Sequence, residues 1–357
     1  MVLSLDEMIK RYPNRDVRSS FKQYLDEEIP SCEEIVRKNL LSYQNHLELI
    51  RAIASCFLPE TQLSLDTGYE FRFTEPLFEK GVKNFDILIT DRRNERALFV
   101  EGKTFSGSIS DRVVKEKFIE NRERIKVVEK EIETSSEKVS HHIDQGSIEV
   151  AMIVDMVHVD DLMRKYEKVE MEERYKPIIL YYDEMKGTLN LVEGFHLHNQ
   201  QLERELVNGI PVHEIGGMIN IPCLISDHPF QILRNVIIND PGTSRTQGNI
   251  MIKDFTRGDI RSGLEKIPLH CNRVSKRQTI SDTTRRVLDH CLKYEIITKK
   301  DREGNRFRLL CKGNRRSVVD NELFEKYVKN WSRNKADEKS RERLEKEYRK
   351  DASLYSF

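Results

Sequence analysis

Three short aliphatic runs, set in an otherwise highly charged chain, limit what this sequence can fold into. They are FDILIT at residues 85–90, EVAMIVDMV at 149–157 and PIILYY at 177–182. Charged residues make up 34% of the 357 residues, yet such runs can build a core, so wholesale disorder is not expected. Each run has the length of a buried strand and falls far short of the ~20 apolar residues that cross a membrane. We therefore expect a folded chain without a membrane span.

The N-terminus and the cysteines both indicate a reducing compartment. Residues 1–16, MVLSLDEMIKRYPNRD, contain acids and no continuous apolar segment, so neither a signal peptide nor an anchor is expected. The six cysteines lack a CxxC spacing, which predicts reduced, mostly buried thiols and no zinc site. We expect a cytoplasmic protein.

Hydrophobic periodicity predicts an α/β order for the N-terminal part of the chain. Residues 33–57 place apolar side chains at alternating spacings of four and three, the pattern of one helical stripe, and Pro59 then ends the helix. Bounded apolar segments predict strands farther on. The expected elements are a helix over 33–57, strands over 69–73, 84–90 and 97–103, a helix from Asp111 to about Ile132, a buried strand over 148–157, and a hairpin or strand-turn-strand within 176–193.

The pattern changes around residues 221–227. Three helix-like segments are followed by a hairpin around the turn DREGN. Thr279 and Asp282 have the spacing of a capping box, with Asp in place of the usual Glu, which places the start of the third helix there. Residues 317–357 are mostly charged and predict a solvated helix or a disordered tail. The segments are helices at 228–238, 254–266 and 279–294 and a hairpin at 295–312.

The stretch ALFVEGKTFSG at 97–107 admits two interpretations, a phosphate-binding loop and an acid-x-Lys motif. A P-loop needs successive backbone N–H groups exposed in a turn before Gly-Lys-Thr, and a helix directly after it. Residues 98–101 are strand-forming, and FSGSIS follows Thr104, so the P-loop interpretation fails. Glu101-Gly102-Lys103 at the end of a strand fits the acid-x-Lys motif.

The expected hairpin brings two acids and a lysine together. The polar turn DRRNER joins FDILIT to ALFVEGK, and pairing Thr90 with Ala97 places Asp86 opposite Glu101. Alternation along the strands then puts both acids and Lys103 on one face, with the Cβ atoms of the acids roughly 5 Å apart. Facing carboxylates repel each other, and a divalent cation relieves the repulsion because hard oxygen ligands suit Mg²⁺.

This arrangement resembles the site of the PD-(D/E)xK nuclease superfamily, over about residues 33–195. The resemblance implies that Asp86 and Glu101 hold Mg²⁺, with Mn²⁺ as a substitute, and that the carbonyl of Gly102 adds a ligand. It implies that Lys103 orients or activates the attacking water. It also implies an additional catalytic acid from the preceding helix, for which Glu48 is the best-placed residue.

The position of the acid-x-Lys pattern, and not its composition, distinguishes residues 101–103 from other occurrences of the pattern in this chain. The pattern [DE]-x-Lys also occurs at 184–186, in a turn, and at 337–339, in the charged tail. Only 101–103 follows a strand with an upstream acid. The alternative interpretation is an exposed strand end that carries a surface ion pair.

Charge is segregated along the chain although the formal net charge is zero. Residues 245–316 contain 19 Lys+Arg and 8 Asp+Glu, the footprint of a polyanion-binding module. The order of three helices and a hairpin resembles a winged helix-turn-helix domain. The resemblance implies binding to duplex DNA through the third helix and flanking phosphate contacts, with use in protein contacts as the alternative. The expected DNA-binding residues are Arg273, Lys276, Arg277, Thr283, Thr284, Arg285, Arg286, Lys299, Lys300, Arg302 and Arg306.

These patterns together predict an α/β fold. The two resemblances imply a restriction-endonuclease-like mixed sheet flanked by helices, plus a C-terminal winged-helix domain. The expected domains are 1–225, a PD-(D/E)xK-type nuclease domain with N-terminal helices, 228–316, a winged helix-turn-helix domain, and 317–357, a charged C-terminal helix or tail.

The resemblance implies a Mg²⁺-dependent endodeoxyribonuclease that hydrolyses phosphodiester bonds in duplex DNA, of the restriction or defence type. Because two strands are most simply cut by two active sites, a homodimer is expected. Two alternatives stay open: a structure-selective repair or recombination nuclease, and a non-catalytic winged-helix regulator that binds DNA.

Overall fold

The structure, a computed structural model, is a mixed α/β protein, as the sequence predicts. Its contacts divide the chain into two units. Unit 1 comprises Met1–Leu41, Pro229–Asp259 and Arg285–Phe357, and unit 2 comprises Ser42–His228 and Ile260–Thr284. The structure describes residues 3–13, 16–76, 83–91, 96–105, 109–134, 147–212, 228–239, 246–247, 250–267 and 273–354.

Unit 2 is built on a seven-stranded mixed sheet with its strands in chain order. The central pairs, β3 with β4 and β4 with β5, are parallel, whereas the pairs on either side of them are antiparallel. The parallel strands are buried, as sheets covered on both faces require. The strands are β1 Tyr69–Thr74, β2 Ile87–Asp91, β3 Ala97–Lys103, β4 Ile148–Asp155, β5 Ile178–Asp183, β6 Thr188–Leu191 and β7 Ile210–Pro211.

Helices cover both faces of this sheet. On one face, Leu98 and Val100 of β3 lie in a cluster with Ile50 of helix α2. On the other face, Phe99 lies in a cluster with Ile125 of helix α4. Alternate residues of β3 therefore face different helices, as the period of a strand dictates. The helices with residues in this unit are α2 Val17–Cys56, α3 Gln62–Thr67, α4 Asp111–Thr134, α5 Val159–Tyr166, α6 Gln200–Asn208, α8 Arg257–Glu265 and α9 Arg273–Lys293.

The hairpin that carries the acid-x-Lys motif forms as predicted over most of its length. β2 and β3 are antiparallel, and Thr90 pairs with Ala97 and Ile87 with Val100. β3 has the predicted bounds, and the predicted strand pair within 176–193 is the antiparallel pair of β5 and β6. The predicted helix over 33–57 is also present, but α2 begins much earlier, at Val17, and continues through Pro30.

Unit 1 combines helices with short strands. Strand β10 pairs with β12, and β12 pairs with β11, both antiparallel, in the order β10-β12-β11. The elements confined to this unit are α1 Leu5–Arg11, α7 Pro229–Leu233, β8 Thr246–Gln247, β9 Ile250–Met251, β10 Asp254–Thr256, β11 Ile297–Lys299, β12 Arg306–Leu309 and α10 Arg316–Leu354.

Two boundaries in the C-terminal region differ from those predicted. The helix predicted at 279–294 begins at Arg273, so Thr279 is an interior residue and not its N-cap. The helix-forming residues before Thr279 extend the helix past the local capping signal. The segment predicted to be helical from 254 starts with strand β10, and its helix α8 begins at Arg257.

The C-terminal segment 317–357 falls mostly within helix α10, one of the two predicted forms, but it is not solvated on all sides. Leu344 and Tyr348 are buried in a cluster with Met8 and Val17. Ion pairs link α10 to the N-terminal part of α2, from Arg37 with Glu325 to Glu27 with Arg343. The two helices run antiparallel, because residue numbers in α2 rise as those of their partners in α10 fall.

Two expectations from composition can be compared with the structure. In the part of the chain that is described, no helix is both long and apolar enough to cross a bilayer. Cys32, Cys56 and Cys291 are buried free thiols, and Cys311 is a partly buried one, as predicted. Cys223 and Cys271 lie outside the described residues.

Candidate active site

The candidate site lies at the end of the β2–β3 hairpin in unit 2. The ladder between the strands ends with Ile87 opposite Val100, and the N–H of Asp86 donates to the carbonyl of the same Val100 at 3.0 Å. Two residues of one strand thus face one residue of the other, the arrangement of a β-bulge. The ladder therefore does not continue to the expected pairing of Asp86 with Glu101.

The bulge leaves the Asp86 carboxylate bound from two sides. Its Oδ2 accepts a hydrogen bond from the N–H of Gly102 at 2.7 Å, and its Oδ1 lies 3.3 Å from Nε2 of His46. His46 belongs to α2, which packs directly on the backbone of β3. A Cβ atom on Gly102 would lie 2.8 Å from Cδ1 of Ile50, so a larger residue there would force the Ile50 side chain to move.

Glu101 faces α4, on the other side of the sheet from His46. Its side chain is only 3% exposed and forms ion pairs with Lys103 and with Arg124 of α4. The Arg124 guanidinium is itself buried: its Nε donates to the carbonyl of Lys83 at 2.8 Å, and the guanidinium lies 5.0 Å from the centre of the Phe85 ring. Buried charges need such partners to offset their desolvation.

Both acids interact with the charge of Arg124. Burial lowers the pKa of Arg124 to about 10, and the negative charge of Asp86 counteracts part of that decrease. Arg124 contacts Glu101 directly, whereas Asp86 acts on it through its charge. The expected single face is therefore not formed: Asp86 contacts His46 of α2, whereas Glu101 pairs with Lys103 and with Arg124 of α4.

Asp86 and Glu101 supply oxygen atoms of the kind that a hard divalent cation takes, and in the structure Glu101 is paired with Lys103 and Arg124. Carboxylate oxygens of Asp86 and Glu101 are the ligands that Mg²⁺ prefers. A metal ion would replace Arg124 as the partner of Glu101. Within the described ranges, no three or more His, Cys, Asp or Glu side chains are grouped as a ready metal site.

Glu48, the acid expected from the preceding helix, does not reach the site. It is exposed on α2 and accepts a hydrogen bond from Nε2 of Gln44 at 3.0 Å. Because Leu49 and Ile50 face Gly102, Glu48 is turned away from β3. The residue of α2 that contacts Asp86 is His46, which the sequence analysis missed because a single histidine near an apolar stripe gives no distinctive signal.

No family model, curated protein or solved structure matches the chain. The arrangement of the side chains is therefore the basis for any function proposed for this chain.

Most of the residues expected to bind DNA are on the surface, but two are not. Thr283 and Thr284 are 5% and 1% exposed, and Oγ1 of Thr284 donates to the carbonyl of Ile280 at 2.7 Å. They are buried because α9 starts at Arg273, which puts them in the middle of the helix and on its packed face. Arg273 and Lys276 lie on α9, with side chains outside the described set, and the exposed residues are Arg277, Arg285, Arg286, Lys299, Lys300, Arg302 and Arg306.

Four of these exposed cations surround the turn between β11 and β12. The turn is held by Asp301, whose carboxylate accepts hydrogen bonds from the N–H groups of Asn305 and Arg306 at 2.9 and 3.0 Å. The N–H of Lys300 donates to the carbonyl of Arg306 at 2.9 Å. A rigid turn therefore presents Lys299, Lys300, Arg302 and Arg306 to solvent.

Proposed function

We propose that this chain is a metal-dependent endonuclease of the PD-(D/E)xK type that hydrolyses phosphodiester bonds in duplex DNA. The observation that supports the proposal is that Asp86, Glu101 and Lys103 lie at one hairpin end, where Glu101 pairs with Lys103 and Arg124 and the charge of Asp86 also acts on Arg124. Burying one carboxylate near another costs stability unless a cation lies beside them. Binding of a metal cation would account for the presence of both acids.

The residues of this site have distinct roles in the proposal. Asp86 and Glu101 would hold Mg²⁺ or Mn²⁺ with the carbonyl of Gly102, and the metal would polarise the phosphate and lower the pKa of a bound water. The N–H of Gly102 and the imidazole of His46 fix the orientation of Asp86. Lys103 stabilises negative charge that develops on the phosphate.

The finer description of the fold belongs to the same proposal. The seven-stranded sheet with helices on both faces supports a restriction-endonuclease-like core. The order α7, α8, α9 followed by the β11–β12 pair supports a winged helix-turn-helix domain, with Arg277, Arg285 and Arg286 on the third helix and the turn cations as DNA contacts. Because two strands are cut, we propose a cytoplasmic homodimer of the restriction or defence type.

A plasmid cleavage assay with Mg²⁺ or Mn²⁺ tests this function. The wild type is expected to cut, and Lys103→Ala is expected to abolish cutting while its affinity for DNA stays near that of the wild type. Lys186→Ala is the matched control, since Lys186 belongs to another acid-x-Lys pattern but is exposed in a turn. Undiminished cutting by Lys103→Ala would falsify the assignment of the site.

The form of the products separates the two kinds of nuclease. A restriction-type enzyme yields discrete fragments from a plasmid, and the ends can be sequenced. A structure-selective repair or recombination nuclease cuts only junctions or flaps and leaves the plain duplex intact.

One observation favours a second candidate, a non-catalytic regulator that binds DNA. Glu101 is already neutralised within the protein by Lys103 and Arg124, so the hairpin is stable without a metal ion. This candidate predicts tight binding to duplex DNA and no cutting of plasmids, junctions or flaps with either metal ion.

A further inference from the structure

Beside the motif hairpin, cations outnumber acids. Lys103 and Arg124 pair with Glu101, while Lys83 and Lys117 pair with Glu120. Arg124 connects the two groups, because its Nη2 lies 3.8 Å from Oε2 of Glu120. Among the described residues of this cluster, four cations face three acids, because the charge of Asp86 also acts on Arg124. The cations are Lys83, Lys103, Lys117 and Arg124.

Two of these cations converge on a single oxygen atom. The Nζ atoms of Lys83 and Lys117 lie 3.2 and 2.6 Å from Oε2 of Glu120. Two ammonium groups that share one carboxylate oxygen repel each other. The pKa of Lys83 is lowered, mainly by burial and secondly by Lys117. The negative charge of Glu120 therefore does not fully offset these two effects.

The other ion pairs along α4 differ from this cluster. Arg112 with Glu116 and Lys126 with Glu123 are pairs of well-exposed side chains, which contribute little to stability. By contrast, the side chains of Lys103 and Lys117 are only 16% and 17% exposed. Lys83, which is 55% exposed, shares the carboxylate oxygen of Glu120 with Lys117, so the pair presents positive charge that favours an anionic ligand.

We propose that Lys83, Lys103 and Lys117, backed by the buried Arg124, bind one backbone phosphate of duplex DNA. The proposal rests on the function proposed above, because the phosphate would lie beside Glu101. A phosphate oxygen takes the place of Glu120 as the shared acceptor of Lys83 and Lys117, which relieves their repulsion. Lysines suit this role because they bind phosphate as point charges from several directions.

The test measures binding of a short duplex oligonucleotide to the full chain by fluorescence anisotropy, with a chelator present and no metal. Lys117→Gln and Lys83→Gln are each expected to weaken binding about tenfold, the effect of losing one charge-assisted contact. Lys126→Gln removes the same charge from an exposed position of α4 and is expected to leave the affinity unchanged. Circular dichroism melting establishes that each variant is folded, and the more exposed Lys83 serves if Lys117→Gln does not fold.

The outcomes distinguish this site from the proposed function. If Lys83→Gln and Lys117→Gln bind the duplex as tightly as Lys126→Gln does, the phosphate site is overturned, even when the wild type cuts plasmid. If they bind more weakly but the wild type cuts no substrate, the phosphate site stands and the endonuclease proposal fails. The same variants are also titrated with inorganic pyrophosphate. If they bind pyrophosphate more weakly but bind the duplex as the wild type does, the assignment to a DNA phosphate is overturned.

Discussion

The Arg124 side chain shows how strongly the candidate site depends on single residues. Its guanidinium is almost completely buried. It donates from Nε to the carbonyl of Lys83, lies over the ring of Phe85 and pairs with Glu101. Removing one member of a buried charge pair leaves the other uncompensated, which costs more than the pair itself contributes. Arg124 should therefore matter for folding as well as for the charge balance of the site.

We expect Arg124→Met to lower the free energy of unfolding by about 3–5 kcal/mol, because Glu101 would remain buried with Lys103 as its remaining partner. Urea denaturation measures the loss. Arg122→Met, at a more exposed position of the same helix, is the control and should change stability little.

A double variant checks the cause of that loss. Adding Glu101→Gln to Arg124→Met removes the uncompensated charge and should recover part of the stability, since paired residues couple. If Arg124→Met and Arg122→Met unfold at the same urea concentration, the pair is not a structural element of the core.

Part of the site could be predicted from the sequence because it depends on local spacing. Strand alternation and a short turn bring Asp86, Glu101 and Lys103 to one end of the hairpin. The bulge at Asp86 could not be predicted, because local spacing alone gives the regular pairing of Asp86 with Glu101. Arg124 gave no signal, since one more arginine on a highly charged helix looks like a solvated residue.

Among the secondary structure elements, α10 differs most from what its sequence indicates. Its composition is that of a solvated helix, yet Ala336, Ser340, Leu344 and Tyr348 are buried at intervals of four residues. Alanine and serine do not register as an apolar stripe, so hydrophobic periodicity fails where small residues allow close helix packing. The β2–β3 hairpin was predictable for the opposite reason, since its strands alternate and its turn is polar.

We expect Leu344→Ala to destabilise unit 1 by about 2–5 kcal/mol, the cost of a cavity in a core that includes Met8 and Tyr348. Lys346→Ala, an exposed position on the same turn of α10, should change stability by less than about 0.5 kcal/mol. Thermal unfolding followed by circular dichroism compares the two variants. Equal melting temperatures would mean that the end of α10 is solvated, as its composition alone indicates.

At the scale of the whole molecule, the segregation of charge is the property that bears most directly on DNA. The chain has no formal net charge, but residues 245–316 carry a large excess of Lys and Arg. In the proposed function this region supplies affinity for the phosphate backbone through counterion release, and the affinity therefore depends on salt. The distribution was readable from sequence because charge counts need no knowledge of the fold.

We expect the double variant Lys300→Gln/Arg302→Gln to reduce the slope of log affinity against log salt by about two, because each phosphate contact contributes roughly one. Fluorescence anisotropy over a series of salt concentrations measures the slope. The control Lys329→Gln/Arg333→Gln removes the same charge from exposed positions of α10. Identical slopes for the two double variants would exclude the β11–β12 turn as a phosphate contact.

The parallel pairing of β3 with β4 has a consequence during synthesis. Ala97 pairs with Ile148 and Lys103 with Val154, so one edge of β3 has no partner until the chain beyond α4 has left the ribosome. Until then the open edge offers unpaired backbone groups to other nascent chains. A fragment that ends before Ile148 contains every residue of the motif but lacks the strand beside it, so the presence of the motif in a truncated product does not imply a formed site.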